Sequence, residues 1–273
     1  MHRLASLALA PVALVASLFA SLPAHAHRPF LVPSTTVLSG GDEWVTVDAA
    51  VSNDLFYFNH QPLNIDTLAI VGPDGSTPKP ENAAKGRFRN TFDVHLTAPG
   101  TYRISSGGSA VMASYELNGE RKRWRGTAAA FATDVPKDAQ KLEVSEGSNR
   151  VETFVTSGKP TVVAFAPTGV GLELQPVTHP NDLVVGEPAT FRLLLDGKPA
   201  SDVRVTAVPG ATRYRDRQDE MVAKTDADGR FSVRWPTPGL WYVNASTRDA
   251  KTSLPQAKER RASYAATLEV MPN

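Results

Sequence analysis

Apolar residues in this chain recur at every second position. A pattern of period two can bury one side only if the backbone is an extended strand. EWVTVDAAV puts Val45, Val47, Ala49 and Val51 on one face, and Trp44, Thr46, Asp48 and Ala50 on the other. RFRNTFDVHLTAPGTYRI puts Phe92, Val94 and Leu96 together, with Asp93, His95 and Thr97 opposite. ATFRLLLDGKPASDVRVTAV reads as two strands joined by a turn at Asp196-Gly197-Lys198. The 21 Pro and 19 Gly spread along the sequence keep helices short. Short alternating strands between Gly/Pro turns predict an all-β protein of immunoglobulin-like sandwiches.

A weak internal repeat sets the expected domain count at two. GRFRNTFDVHLTAPGTYRI (86–104) and GRFSVRWPTPGLWYV (229–243) each run Gly-Arg-Phe, a strand, Pro-Gly, then an aromatic-rich strand. Pro99-Gly100 and Pro238-Gly239 should therefore occupy equivalent turns, with Tyr102 and Trp241 or Tyr242 near the cores. The expected domains are 27–170 and 171–273. Within the first, 105–165 is the least regular part: SYELNGERKRWRG suggests a hairpin tip, and DVPKDAQKLEV a short helical turn.

The first 26 residues read as a leader. Met1-His2-Arg3 is positively charged, Leu4 to Leu22 is almost entirely apolar or small, and Ala24-His25-Ala26 is a small-residue cleavage signature. Cleavage after Ala26 would send the mature chain to the periplasm or outside the cell. No later stretch has the roughly 18 apolar residues that a spanning helix needs. The sequence contains no Cys, so it has neither disulfides nor thiolate metal sites. A net charge of +1 gives no support for nucleic-acid binding.

Cleavage also makes a ligand. His27 becomes the first residue, so its free α-amine and its ring Nδ1 can chelate one ion. A second imidazole would complete a three-nitrogen plane, which suits Cu(II) or Ni(II). The bland alternative is that residue +1 merely follows the cleavage site. The other mature histidines are His60, His95 and His179, and no HxxH or HExxH pair exists. His60, in SNDLFYFNHQPLNID, is the preferred partner. The neighbouring Phe56, Tyr57 and Phe58 either shield a site or anchor the loop. His95, on the strand face opposite Phe92 and Val94, is the next choice and otherwise a solvated residue. His179 precedes Pro180 at the domain junction, where a packing role is expected. TDADGR resembles a fragment of a calcium loop but lacks its third acidic position and later Glu, and reads as a turn. ERKRWR (120–125) is a basic cluster on a hairpin tip. No G-x-S-x-G elbow, Cys nucleophile or phosphate loop appears.

The layout resembles a bacterial periplasmic family of unknown function associated with cobalt and nickel uptake systems. The resemblance is carried by AHAH followed by FLVPS, by GLELQPVTHPNDLVVGEPATFRLLLDGKPASDVRVTAVPG, by KTDADGRFSVRWPTPGLWYV and by YAATLEV. It covers most of the mature chain. It implies metal handling and a mature chain that starts with His, which strengthens the reading of His27 as a ligand. The leading expectation is a non-enzymatic periplasmic protein that captures nickel, cobalt or copper and presents it to a membrane transporter. Two alternatives stay open: a metal-independent structural or adhesive module that binds protein or glycan, and a copper oxidase built on an N-terminal histidine brace.

Overall fold

The computed structural model describes residues 27–273; the expected leader lies outside them. In chain order the first part contains β1 (Arg28–Pro33), β2 (Val37–Leu38), β3 (Glu43–Ser52), β4 (Gln61–Pro62), β5 (Leu68–Val71), β6 (Glu81–Lys85) and β7 (Asn90–Leu96). It continues through β8 (Gly100–Leu117), β9 (Glu120–Gly126), α1 (Ala128–Asp134) and β10 (Gln140–Ser157). The second part contains β11 (Leu172–Pro176), β12 (Pro188–Leu195), β13 (Lys198–Pro199), β14 (Arg204–Pro209) and β15 (Met221–Lys224), then β16 (Arg230–Arg234), β17 (Gly239–Asp249) and β18 (Ala257–Val270).

The protein is all-β, built as two sandwiches that share a sheet. One sheet runs β1-β3-β7-β6, and another runs β11-β12-β13 with β16 also on β12. Between them a continuous sheet runs β15-β14-β17-β18-β10-β8-β5. Its seam is the parallel pair β10–β18, in register from Glu146↔Arg260 to Thr153↔Thr267. Partners across a ladder point to the same face. Val151 points into the first core with Phe92, Val94 and Leu96. Its partner Ala265 shares that face but packs with Phe30 and Leu55. Phe154, Ala266 and Leu268 point the other way, into the second core with Phe191 and Trp235. The two smaller sheets therefore cover opposite faces of the shared sheet, on either side of the seam.

The repeat is real at the level of hydrogen bonds. The Tyr102 hydroxyl donates to the Ala98 carbonyl at 3.0 Å. The Trp241 indole N–H donates to the Thr237 carbonyl at 3.1 Å. Each aromatic is buried two residues after a positive-φ glycine and reaches back four residues to hold its turn (Gly100, φ 136°; Gly239, φ 111°).

The irregular stretch is an arm. β8 and β10 each run 18 residues, well past the sandwich, and β9 returns along β8. The helical turn expected in DVPKDAQKLEV falls earlier, at Ala128–Asp134. Alanines favour the helix there, Thr127 caps it by accepting the Ala130 N–H at 3.1 Å, and Pro136 follows its end. Phe131 of α1 packs with Val111, Ala113, Tyr115 and Val144, closing one face of the arm.

Candidate functional site

β1 carries His27 across the seam. Its register, Arg28↔Ser52, lays the start of β1 beside the end of β3, next to the loop that carries His60. That loop is pinned at several points. Leu55 is fully buried with Phe30, Val208 and Tyr242, and its N–H donates to Thr212 Oγ1 at 3.0 Å. Burying such a side chain contributes about 1.5–3 kcal/mol. Phe56 holds a left-handed backbone (φ 65°), a strained state for an aromatic, and meets Phe30 edge-on at 5.4 Å. Asn59 donates to Asp54 Oδ2 at 2.9 Å, and its carbonyl oxygen accepts from Ser52 Oγ. Phe58 and Phe56 thus anchor the loop to β1.

The result is a histidine pair. The His27 and His60 rings stack with centroids 3.8 Å apart and planes 7° from parallel. Both belong to stretches held by the same apolar cluster. Among the described residues no three side chains of His, Cys, Asp and Glu stand close enough to hold an ion. The pair's third donor would have to be the His27 α-amine, which is a peptide nitrogen in the uncleaved chain. Stacked rings also hold their in-plane nitrogen lone pairs in parallel planes, so the lone pairs do not converge on one point. Two nitrogens on one ion lie within roughly 4 Å of each other. Sharing an ion therefore requires His27 or His60 to turn its ring. Exposed His27 is free to do so.

The other histidines stand elsewhere. His95 pairs with Trp44 at the opposite end of β3, eight residues from Ser52, which is roughly 27 Å along the strand. Its ring stacks on Trp44 at 4.1 Å and its Nε2 meets the Asp42 carboxylate. Its expected place as second-choice ligand is corrected by that separation: His95 does not join the pair. His179 is satisfied on both ring nitrogens. Nε2 faces Thr101 Oγ1 at 2.9 Å and the Thr161 carbonyl at 3.3 Å, while Nδ1 accepts the Asn181 N–H at 3.1 Å. Burial holds its pKa below the ordinary imidazole value. It packs on Phe165 at the sandwich junction.

Below His27 lies a hollow of about 500 Å³ on the shared sheet, with Arg28, Arg204 and Arg261 among its walls. On the other side of the seam is a buried ionic cluster that the strand pattern hid. Arg150 Nη1 donates to Glu152 Oε1 at 3.2 Å, and Arg103 Nε lies 3.9 Å from the same oxygen. Glu173 Oε1 lies 3.3 Å from Arg150. Burial pushes the Glu152 carboxyl above its usual range, against the pull of Arg103 and Arg150. The available signal was Arg150-x-Glu152-x-Phe154, charges alternating in step with a core aromatic.

No curated protein matches the chain in sequence. Among solved structures it is similar to the D0-D1 domain of Intimin, at 14% identity over 87% of this chain and 96% of that one, with a TM-score of 0.20. It is similar to trypsin-activated alpha-2-macroglobulin from Escherichia coli at 14% identity, over 89% of this chain but 16% of that one, with a TM-score of 0.22. It is also similar to the human OSCAR ligand-binding domain, at 12% identity over 89% and 98%, with a TM-score of 0.20. At such scores these likenesses carry no argument about function. Residues 24–249 match the model of a domain of unknown function, DUF4198, and the chain belongs to that family.

Proposed function

We propose that the protein is an exported, non-enzymatic metal carrier in which His27 and His60 take one divalent transition-metal ion as cargo. The observation that supports this reading is the His27–His60 stack at 3.8 Å. Cleavage after Ala26 would add the α-amine, giving three nitrogens from two residues without Cys. That donor set favours Cu(II) and Ni(II), and the resemblance to cobalt- and nickel-associated proteins adds Co(II). Exposed His27 leaves the ion accessible for transfer to a membrane transporter, the partner this role requires. No described helix is long and apolar enough to cross a membrane.

The test is calorimetric titration of Cu(II), Ni(II) and Co(II) into the mature chain beginning at His27. Two variants accompany it: one extra residue before His27, and His60→Ala. The expected result is a single site that each change weakens at least tenfold. Unchanged affinity in the extended chain would remove the amine from the ligand set and overturn the reading.

A further inference from the structure

β9 is the outermost strand of the arm. It pairs with β8, and no other described strand covers its far edge. The hairpin joining the two strands turns through Asn118 and Gly119, both at positive φ (53° and 78°), as a two-residue turn requires. Such a turn makes Leu117 and Glu120 a hydrogen-bonded pair. Backbone groups alternate between the two sides of a strand. Those of Arg121, Arg123 and Arg125 therefore point away from β8, toward the free edge. They repeat there every about 6.8 Å, each residue with one donor and one acceptor.

The same three residues put their side chains on one face. They stand opposite Glu116, Ser114 and Met112, on the side of the arm that α1 leaves bare. A hollow of about 690 Å³ lies over Met112, Ser114 and Ser145, with Arg123, Arg125 and Lys258 in its walls. Its two carboxylates are already engaged. Glu143 lies 3.6 Å from Arg121, and Glu259 lies 3.3 Å from Arg248. Among the described residues no carboxylate reaches Arg123 or Arg125, and both are exposed. On the other face Trp124 is half-buried against Phe131, with ring centroids 5.7 Å apart, and offers the edge an apolar neighbour.

Charge selects the occupant. Like charges directly opposite destabilise a strand pair, so these arginines oppose pairing of β9 with a second copy of itself. Opposite charges stabilise one. We propose that β9 takes an added strand from a partner protein. That strand is an extended segment whose acidic residues, at every second position, meet Arg121, Arg123 and Arg125, and whose intervening apolar residues meet Trp124. A flat anionic bilayer would use the charges but leave the outward backbone groups to water. The contact needs no metal at His27.

The probe is a labelled peptide of about eight residues, a common strand length, in which Glu and Val alternate. It is titrated into the mature chain and read by fluorescence anisotropy, with phosphatidylglycerol vesicles as the bilayer control. The alternating peptide should bind saturably. An isomer with all its Glu before all its Val should bind at least tenfold more weakly. The same loss is expected for the alternating peptide with the Arg123→Glu, Arg125→Glu chain. Arg123→Ala removes one charge, while Arg123→Pro also removes an outward N–H without touching the β8 ladder. Arg123→Pro should therefore weaken binding at least fivefold beyond Arg123→Ala. If Arg123→Pro does not fold, hydrogen exchange on the wild-type chain decides: the Arg121, Arg123 and Arg125 amides should slow at least tenfold with peptide bound. Failure of the alternating peptide to bind, equal binding of the two isomers, equal binding by the two Arg123 variants or unslowed amides would overturn the added strand. So would vesicles that bind through Arg123 and Arg125 in place of the peptide, or a dimer of the chain that the Arg123→Glu, Arg125→Glu substitutions dissolve.

Discussion

Tyr264 on β18 donates its hydroxyl to Glu152 on β10 at 2.8 Å, inside the seam between the sandwiches. Both residues are almost fully buried. The bond ties the last strand of the first sandwich to the last strand of the second, alongside the backbone ladder. Tyr264→Phe keeps the ring and removes the donor, leaving Glu152 Oε2 unpaired. It should cost on the order of 1–3 kcal/mol in urea unfolding. A loss under about 0.5 kcal/mol would show that the side-chain tie is dispensable and that the ladder alone holds the seam.

The strands and turns were legible because their signals are local. Val45, Val47 and Ala49 are buried as the alternation requires, and Pro99-Gly100 and Pro238-Gly239 end in matching aromatic hydrogen bonds. The seam was not legible. Parallel pairing of Val151 with Ala265 joins residues more than a hundred positions apart, and no periodicity encodes that choice of neighbour. The histidine pair was legible in part. Cleavage chemistry drew attention to His27, but only the placement of β1 beside the 53–60 loop separates His60 from His95. The buried ionic cluster was not legible because Arg103 and Arg150 look like ordinary strand residues until the two sandwiches close over them.

Acid stability should depend on Asp196. The Arg260 hydrogen bonds, at 3.2 and 2.9 Å, hold its carboxyl well below the usual range, helped by Lys251 and the Gly171 N–H. Arg260 likewise lowers the pKa of Asp249. A carboxyl depressed in the fold stabilises it above the unfolded pKa, near 4, and that stability is lost as pH falls through the folded value. Glu152 has the opposite sign: its raised pKa favours the fold at low pH and loses that contribution as pH rises. Asp196→Asn should therefore cost about 2 kcal/mol at neutral pH and flatten the acid side of the stability profile. Parallel wild-type and variant curves below pH 4 would refute the assignment.

Metal affinity should rise with pH. An α-amine ordinarily titrates near pH 8, and an ion must displace its proton to bind. Between pH 6 and 8 the apparent affinity of the mature chain should increase at least tenfold. His95→Ala should leave it unchanged, since that ring is occupied with Trp44 and Asp42 at the far end of β3. A drop in affinity on removing His95 would relocate the site.

The two turn glycines look alike in sequence but sit in different surroundings. Both hold positive φ, so alanine is strained at either position. At Gly239 an added Cβ meets nothing within 4 Å. At Gly100 it would lie 2.3 Å from the Pro73 Cβ and 2.8 Å from Thr161 Oγ1. Thr161 Oγ1 accepts the Thr101 N–H at 3.0 Å, so pushing it aside also breaks that contact. Gly239→Ala should therefore cost about 1 kcal/mol, the backbone penalty alone. Gly100→Ala should cost on the order of 3 kcal/mol, adding overpacking and a weakened hydrogen bond. Chemical denaturation of the two variants side by side measures the difference. Equal losses would mean that the Pro73 and Thr161 contacts relax freely, so that the first turn is no tighter than the second.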